Sequence, residues 1–239
     1  MCGRYSLNAE VSQIIEQFVL RNDIERIQRE YRKEKVINPG VPIPVVREID
    51  GDRTLEYVRW NVENFEFYDV KKGETVRRAS GPPNARSDKI RRFQYWTEGL
   101  LHRRCIVPAT SYWEWPDDPD EYKAGKVYQF HFKNWELMAF PAIICPYKNK
   151  EDEQKFGVMT ITFDAGEHAK IIHRTQPAIL LRENYDAWLN PNTETPERYL
   201  YKAKGIELDY ELDEDPPWPT KKIKSGEVKK KDSQPRLFD

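Results

Sequence analysis

The chain has 239 residues, 38% of them hydrophobic, and its 39 basic and 40 acidic side chains leave a formal net charge of −1. That length allows one large domain or two small ones, with enough apolar material for a core. The near-zero charge excludes a strongly basic nucleic-acid binder by bulk charge, but not a local basic groove, because the field in a cleft depends on where the charges sit. Cys2, Cys105 and Cys145 are an odd number without a CxxC pair, which speaks against a disulfide framework or a cysteine-rich zinc site and for a reducing, intracellular setting. The start carries no apolar signal core, and no run approaches the roughly 18 apolar residues of a membrane span.

Taken in chain order, Val11 to Ile27 has apolar residues at helical spacing and reads as one amphipathic helix capped by Asn8. Val36 to Val46 carries three prolines among Val and Ile and reads as an extended edge segment. Thr54 to Trp60 alternates like a strand, and Asp69 to Pro83 reads as an exposed loop. Ser87 to Leu100 has a helical pattern. Strands are expected at Cys105–Pro108, Val127–Phe132, Leu137–Cys145, Phe156–Phe163 and Ala178–Leu181, with short helices at Gly166–Ile172 and Tyr185–Leu189. Many short strands among short helices predict a single α+β domain over residues 1–206, built on a curved, barrel-like mixed sheet. Residues 207–239 are expected to be a disordered tail, first acidic, then lysine-rich.

Several local clusters carry chemistry. Cys2 follows the initiator methionine. Once Met1 is trimmed, Cys2 holds a thiol and a free α-amine on adjacent carbons, with ordinary pKa values of about 8.5 and about 8. That pair captures an aldehyde as an imine and closes it into a thiazolidine, which an internal cysteine cannot do. Asn84 and Arg86, in Pro83-Asn84-Ala85-Arg86-Ser87, combine an amide that orients a polar group with a fork of donors that fits phosphate. Glu114 sits in Tyr112-Trp113-Glu114-Trp115, where apolar surroundings would raise its pKa and suit it to acid–base work. His173 ends a short apolar helix and is a proton shuttle by type. Thr162, Trp60 and Trp115 could add a hydroxyl and stacking rings. Each feature alone is also compatible with a helix cap, a strand end or a core side chain.

Their order is more specific: Cys2-Gly3-Arg4-Tyr5, then Asn84-Ala85-Arg86-Ser87, then Tyr112-Trp113-Glu114-Trp115 after Arg104-Cys105-Ile106-Val107-Pro108-Ala109, then Ile172-His173-Arg174-Thr175-Gln176-Pro177. From Cys2 to about Leu189 this resembles the SRAP family of abasic-site processing proteins. The resemblance implies an SRAP-type fold that binds single-stranded DNA and forms a covalent thiazolidine crosslink between Cys2, freed of Met1, and the ring-opened abasic-site aldehyde. By position, Cys2, Asn84, Glu114 and His173 match the family's catalytic set. Arg4, Arg86, Trp60, Trp115 and Thr162 match DNA-binding positions. Expected besides are removal of Met1, autocatalytic or by an aminopeptidase, lyase-type chemistry at the abasic site, a monomer, no cofactor and no metal, and a cytoplasmic, nucleoid-associated location.

The chain departs from the family pattern in three places. Trp60-Asn61-Val62 replaces Trp-Gly-Leu, Thr175 stands where an arginine is usual, and Ala165-Gly166 replaces Ala-Asn. The C-terminal Gln234-Pro235-Arg236-Leu237-Phe238 resembles the peptide that docks on the replication sliding clamp, through Gln234, Leu237 and Phe238. Two other classes remain open to the sequence: an N-terminal-nucleophile hydrolase using Cys2, and a DNA-binding module without chemistry.

Overall fold

The computed structural model describes residues 3–69, 74–202, 206 and 208–218. The expectations for Cys2 and for Gln234, Leu237 and Phe238 lie outside the described residues.

The chain enters through β1 (Arg4–Leu7), followed by α1 (Val11–Phe18) and α2 (Ile24–Glu30). The single helix expected over 11–27 is therefore two. Val19 closes α1 in a left-handed conformation (φ 53°), its N–H returning to the Glu16 and Ile15 carbonyls, and Asp23 starts α2 from another (φ 56°). Glycine is the usual residue at such a stop, and neither position has one, so the break leaves no mark in the sequence. The N-cap is Glu10 rather than Asn8, in a reciprocal capping box with Gln13.

Next come β2 (Glu34–Ile37), β3 (Pro42–Ile49), β4 (Asp52–Trp60), β5 (Glu63–Asp69), β6 (Glu74–Ser80) and β7 (Asn84–Arg86). The loop expected over 69–83 is in large part β6, which pairs with β5 as a separate two-stranded sheet. The helix expected over 87–100 is a short 3₁₀ turn followed by α3 (Gln94–His102). β8 (Arg104–Ala109), β9 (Ser111–Glu114), α4 (Pro119–Lys123), β10 (Tyr128–His131), β11 (Met138–Lys148) and β12 (Gln154–Asp164) follow. The remaining elements are α5 (Glu167–Lys170), β13 (Thr175–Pro177), α6 (Tyr185–Leu189), α7 (Arg198–Lys202) and β14 (Asp209–Leu212). The strand expected at 178–181 is displaced to β13. Ala178–Leu181 continues as irregular chain whose residues 178 and 180 still bond to the Ile161 and Ala139 carbonyls.

β11, β8, β3, β4 and β12 form a ring, because β11 pairs with both β8 and β12. All its pairings are antiparallel except β4 with β12, so the barrel is mixed, as expected. Its strands are buried on one or both faces and read as near-continuous apolar runs, such as Met138–Cys145. A second sheet, β14-β10-β9-β1-β2, lies beside it. Aromatic rings link the two. Tyr5 of β1 meets Trp60 edge-on at 5.1 Å and Phe140 of β11 at 6.2 Å, and Tyr112 of β9 meets Phe140 edge-on at 6.1 Å. Each such pair adds about 0.5–1.5 kcal/mol beyond area burial.

The acidic segment does not behave as a tail throughout. Asp209–Leu212 is an edge strand in register with Tyr128–His131 of β10. The folded part therefore extends past residue 206. Alternation explains this strand: Tyr210 and Leu212 alternate with Asp209 and Glu211.

Candidate active site

The site lies where the second sheet meets the barrel. Arg4 pairs with Trp113, Tyr5 with Tyr112 and Ser6 with Ser111, so the chain enters β1 at the Glu114 end of β9. Glu114 is the last residue of β9 and is only 2% exposed. Burial in this aromatic setting pushes its carboxyl up to about 7, because the charged form loses its hydration.

His173 follows α5, with its backbone N–H on the Ala169 carbonyl. Its Nε2 is 3.8 Å from Glu114 Oε2, and its Nδ1 is 3.2 Å from Asp117 Oδ1. Burial pushes the imidazole down to about 4. Near neutral pH the histidine is therefore uncharged and the glutamate is close to half-protonated. The Glu114–His173 contact is then an acid facing a neutral base, and not an ion pair. The proton of the pair rests on Glu114, which near pH 7 can give a proton to, or take one from, a group placed beside it.

Asn84 and Arg86 lie on β7, parallel to β12, with Asn84 opposite Thr160 and Arg86 opposite Thr162. Asn84 is buried and accepts a short hydrogen bond from the Thr160 hydroxyl, which fixes its amide. Arg86 donates to Asp88 and Asp164, each at 2.9 Å, so a phosphate would have to share it with two carboxylates. Thr162 sits between Arg86 of β7 and Pro177 of β13, two residues past Thr175. It is fully buried, which turns its hydroxyl away from solvent and from direct contact with a polymer.

Trp60 also departs from its expected role. It is 1% exposed, and its Nε1 donates to the Pro83 carbonyl at 3.0 Å. It packs on Tyr5 as a core side chain, so no face is open for base stacking. The neighbouring Asn61 has φ 85°, the left-handed backbone that a glycine would adopt at no cost. Its amide reaches Ser80 Oγ at 2.8 Å, and its backbone N–H bonds to the Val158 carbonyl. The asparagine thus keeps the glycine-type turn by local bonding.

Trp115 is half-buried and part of a cation–aromatic stack. The Arg4 guanidinium lies 4.9 Å from the Trp115 ring and 4.6 Å from the Trp218 ring. Trp218 meets Trp113 edge-on at 5.1 Å, and Trp113 Nε1 donates to Asp213 at 2.8 Å. Arg4 Nε also donates to Asn38 Oδ1 at 2.9 Å. Arg4 and Trp115 are therefore brought together, and Trp218 from the segment after β14 covers them. Sequence reasoning missed Trp218, Asp213 and Asp117. Pro216-Pro217-Trp218-Pro219 was the one local signal for the first.

Cys105 and Cys145 are buried, and burial raises both thiols, Cys145 to about 12. Neither is a nucleophile at neutral pH. Among the described residues no group of three or more His, Cys, Asp or Glu side chains is placed to hold a metal, and no helix is long and apolar enough to cross a membrane.

The model of the SOS response associated peptidase (SRAP) family matches residues 1–211. The chain is 28% identical over 198 residues to abasic site processing protein YoqW of Bacillus subtilis, covering 82% of this chain and 84% of that one. It is 27% identical over 216 residues to abasic site processing protein YoaM of the same organism, covering 90% and 88%. A solved protein structure from Bacteroides thetaiotaomicron has the same fold, with a TM-score of 0.70 at 20% identity over 93% of this chain and 99% of that one. A phage-related protein from Bordetella bronchiseptica gives 0.64 at 19% identity over 89% and 94%. With the family match spanning most of the chain, the chain belongs to the SRAP family.

Proposed function

We propose that this protein processes abasic sites in single-stranded DNA by forming a thiazolidine between Cys2 and the abasic-site aldehyde. The observation that carries the proposal is buried Glu114, at the end of β9 where the chain enters β1, facing half-buried His173. The Bacillus subtilis relatives named abasic site processing proteins support the same substrate.

The chemistry runs in three stages. The closed hemiacetal opens when its ring oxygen takes a proton and its C1′ hydroxyl loses one. Glu114 in its acid form and neutral His173 are suited to these transfers. The Cys2 α-amine adds to the freed C1′ aldehyde, and the carbinolamine loses water to give an imine. The Cys2 sulfur then adds to the imine carbon while the thiol proton passes to nitrogen, closing the ring. One water leaves overall, and no oxidant, metal or cofactor is required. Removal of Met1 must come first, since an acylated nitrogen cannot form the imine. Asn84 would orient the amine and sugar. Arg4 and Arg86 would meet phosphates, and Trp115 a base, stacking being worth about 1–3 kcal/mol per base.

A uracil-containing single-stranded oligonucleotide treated with uracil glycosylase tests this. Wild type should give a heat-stable shifted band on a denaturing gel, and Cys2→Ala none. Normal DNA binding by wild type without a shifted band would overturn the proposal. The Gln234–Phe238 peptide is proposed separately as a tether to a replication sliding clamp. Capture by a clamp that survives deletion of residues 233–239 would remove that idea.

A further inference from the structure

Asp117 lies just past β9, outside every motif singled out in the sequence, yet it makes three contacts with the His173 segment. Its Oδ1 is 3.2 Å from His173 Nδ1. Its Oδ2 accepts the backbone N–H of Arg174 at 2.7 Å. Its own N–H donates to the Ile172 carbonyl at 2.8 Å. One aspartate therefore clamps the residues on both sides of the histidine and faces the ring nitrogen remote from Glu114. Its neighbour Asp118 has a different task. It caps α4 by accepting from the Asp120 and Glu121 backbone N–H groups at 2.9 Å each.

We infer that Asp117 is the positioning residue for His173: it holds the imidazole with Nδ1 turned to a carboxylate, so that the proton resides on Nδ1 and bare Nε2 faces Glu114. This rests on the reading of Glu114 and His173 as the acid–base pair.

The physical reason is the tautomer. A neutral imidazole carries one proton, and the nitrogen beside a carboxylate is the one that keeps it. With Nδ1 protonated, Nε2 presents a lone pair toward Glu114 at 3.8 Å. Glu114 in its acid form then faces a proton acceptor in Nε2, giving a carboxylate–imidazole–carboxylic acid series. With the proton on Nε2 instead, the histidine offers Glu114 a donor, and proton transfer from glutamate to histidine is blocked. The ring also bonds the Trp115 backbone, and the 3.2 Å contact lacks the alignment of a full hydrogen bond, so the aspartate acts against that bond through charge and through its two backbone bonds together.

The test uses full-length protein with Asp117→Asn, Asp117→Ala, Asp117→Glu and, as a control for local structure, Asp118→Ala. The first readout is the His173 ring nitrogen signals in a ¹H–¹⁵N correlation spectrum near neutral pH. Wild type should show the Nδ1–H form in majority. Asp117→Asn and Asp117→Ala should shift the balance toward Nε2–H, Asp117→Glu should restore it in part, and Asp118→Ala should leave it unchanged. The second readout is the single-turnover crosslinking rate at saturating DNA. It should fall about tenfold or more in Asp117→Ala, within the range that general acid–base groups control, with DNA affinity within twofold of wild type. An unchanged tautomer balance in both Asp117→Asn and Asp117→Ala would overturn the inference, as would a wild-type crosslinking rate in Asp117→Ala. The nitrogen spectrum does not depend on crosslinking. A wild-type protein that fails to crosslink therefore sinks the functional proposal, while the tautomer result still decides the role of Asp117.

Discussion

The site has an inner and an outer half, built on opposite principles. The inner half is Glu114, His173 and Asp117, two of them desolvated enough that burial moves their pKa values toward each other's side of neutrality. The outer half is Arg4 between Trp115 and Trp218, a cation held by ring faces at a partly open surface. Desolvation makes the inner half sensitive to single protons, while exposure and charge make the outer half sensitive to salt. Under the proposed function, inner substitutions should change rate without affinity, and outer ones affinity without rate.

The largest expected effect tests the inner half. Glu114→Gln should slow crosslinking roughly a hundredfold at neutral pH, the scale of a lost general acid–base group, with DNA binding preserved. Equal losses in rate and affinity would erase the distinction between the halves.

A second inner test uses stability. Glu114 has its folded pKa raised from 4.5 to about 7, so the folded state holds a proton the unfolded chain has lost, and its contribution to stability falls as pH rises through that window. His173 is lowered from 6.5 to about 4, so the unfolded chain holds the extra proton, and its contribution rises with pH over 4 to 6.5. The two slopes oppose each other between about pH 4.5 and 6.5. Glu114→Gln should leave a stability that climbs with pH there, and His173→Ala one that declines. Denaturant melts at pH 4.5, 5.5 and 6.5 would show both slopes, and parallel behaviour of the two variants would contradict the assignment.

Gly157 tests the frame that supports both halves. A Cβ there would stand 2.2 Å from the Asn61 carbonyl oxygen, a backbone atom that cannot swing aside. Gly157→Ala should cost about 1–3 kcal/mol, the usual range for overpacking, visible as a lowered thermal midpoint.

The outer half should respond more mildly. Arg4→Ala should weaken single-stranded DNA binding and reduce the salt slope by about one unit. Trp218→Ala should do the reverse, freeing a guanidinium from a cation–aromatic contact worth about 0.5–1 kcal/mol and tightening binding about two- to fivefold at low salt. Crosslinking at saturating DNA should be unchanged in both.

The same contrast explains what the sequence made legible. The barrel strands β8, β11 and β12 are apolar runs bounded by turns, and they fall close to where the pattern placed them. Glu114 and His173 were visible because their motifs pair a titratable group with apolar neighbours. The split of α1 from α2 was not, since a valine and an aspartate take the left-handed positions that glycine usually marks. The short strands β1 and β14 are four residues each and mix polar with apolar side chains, so their pairing is decided by the partner strand rather than by their own composition. Asp117 and Trp218 escaped because their partners lie 56 and more than 100 positions away in the chain, and no local spacing encodes such contacts. Trp60 shows the converse error, where a resemblance to DNA-contact positions met a side chain turned into the core.

The central claim concerns one residue, and intact-mass and peptide mapping of the crosslinked product test it most directly. After nuclease digestion, the N-terminal peptide should begin at Cys2, lack Met1, and carry the sugar remnant with the loss of one water. An adduct on any other residue, or a crosslinked chain that retains Met1, would contradict it.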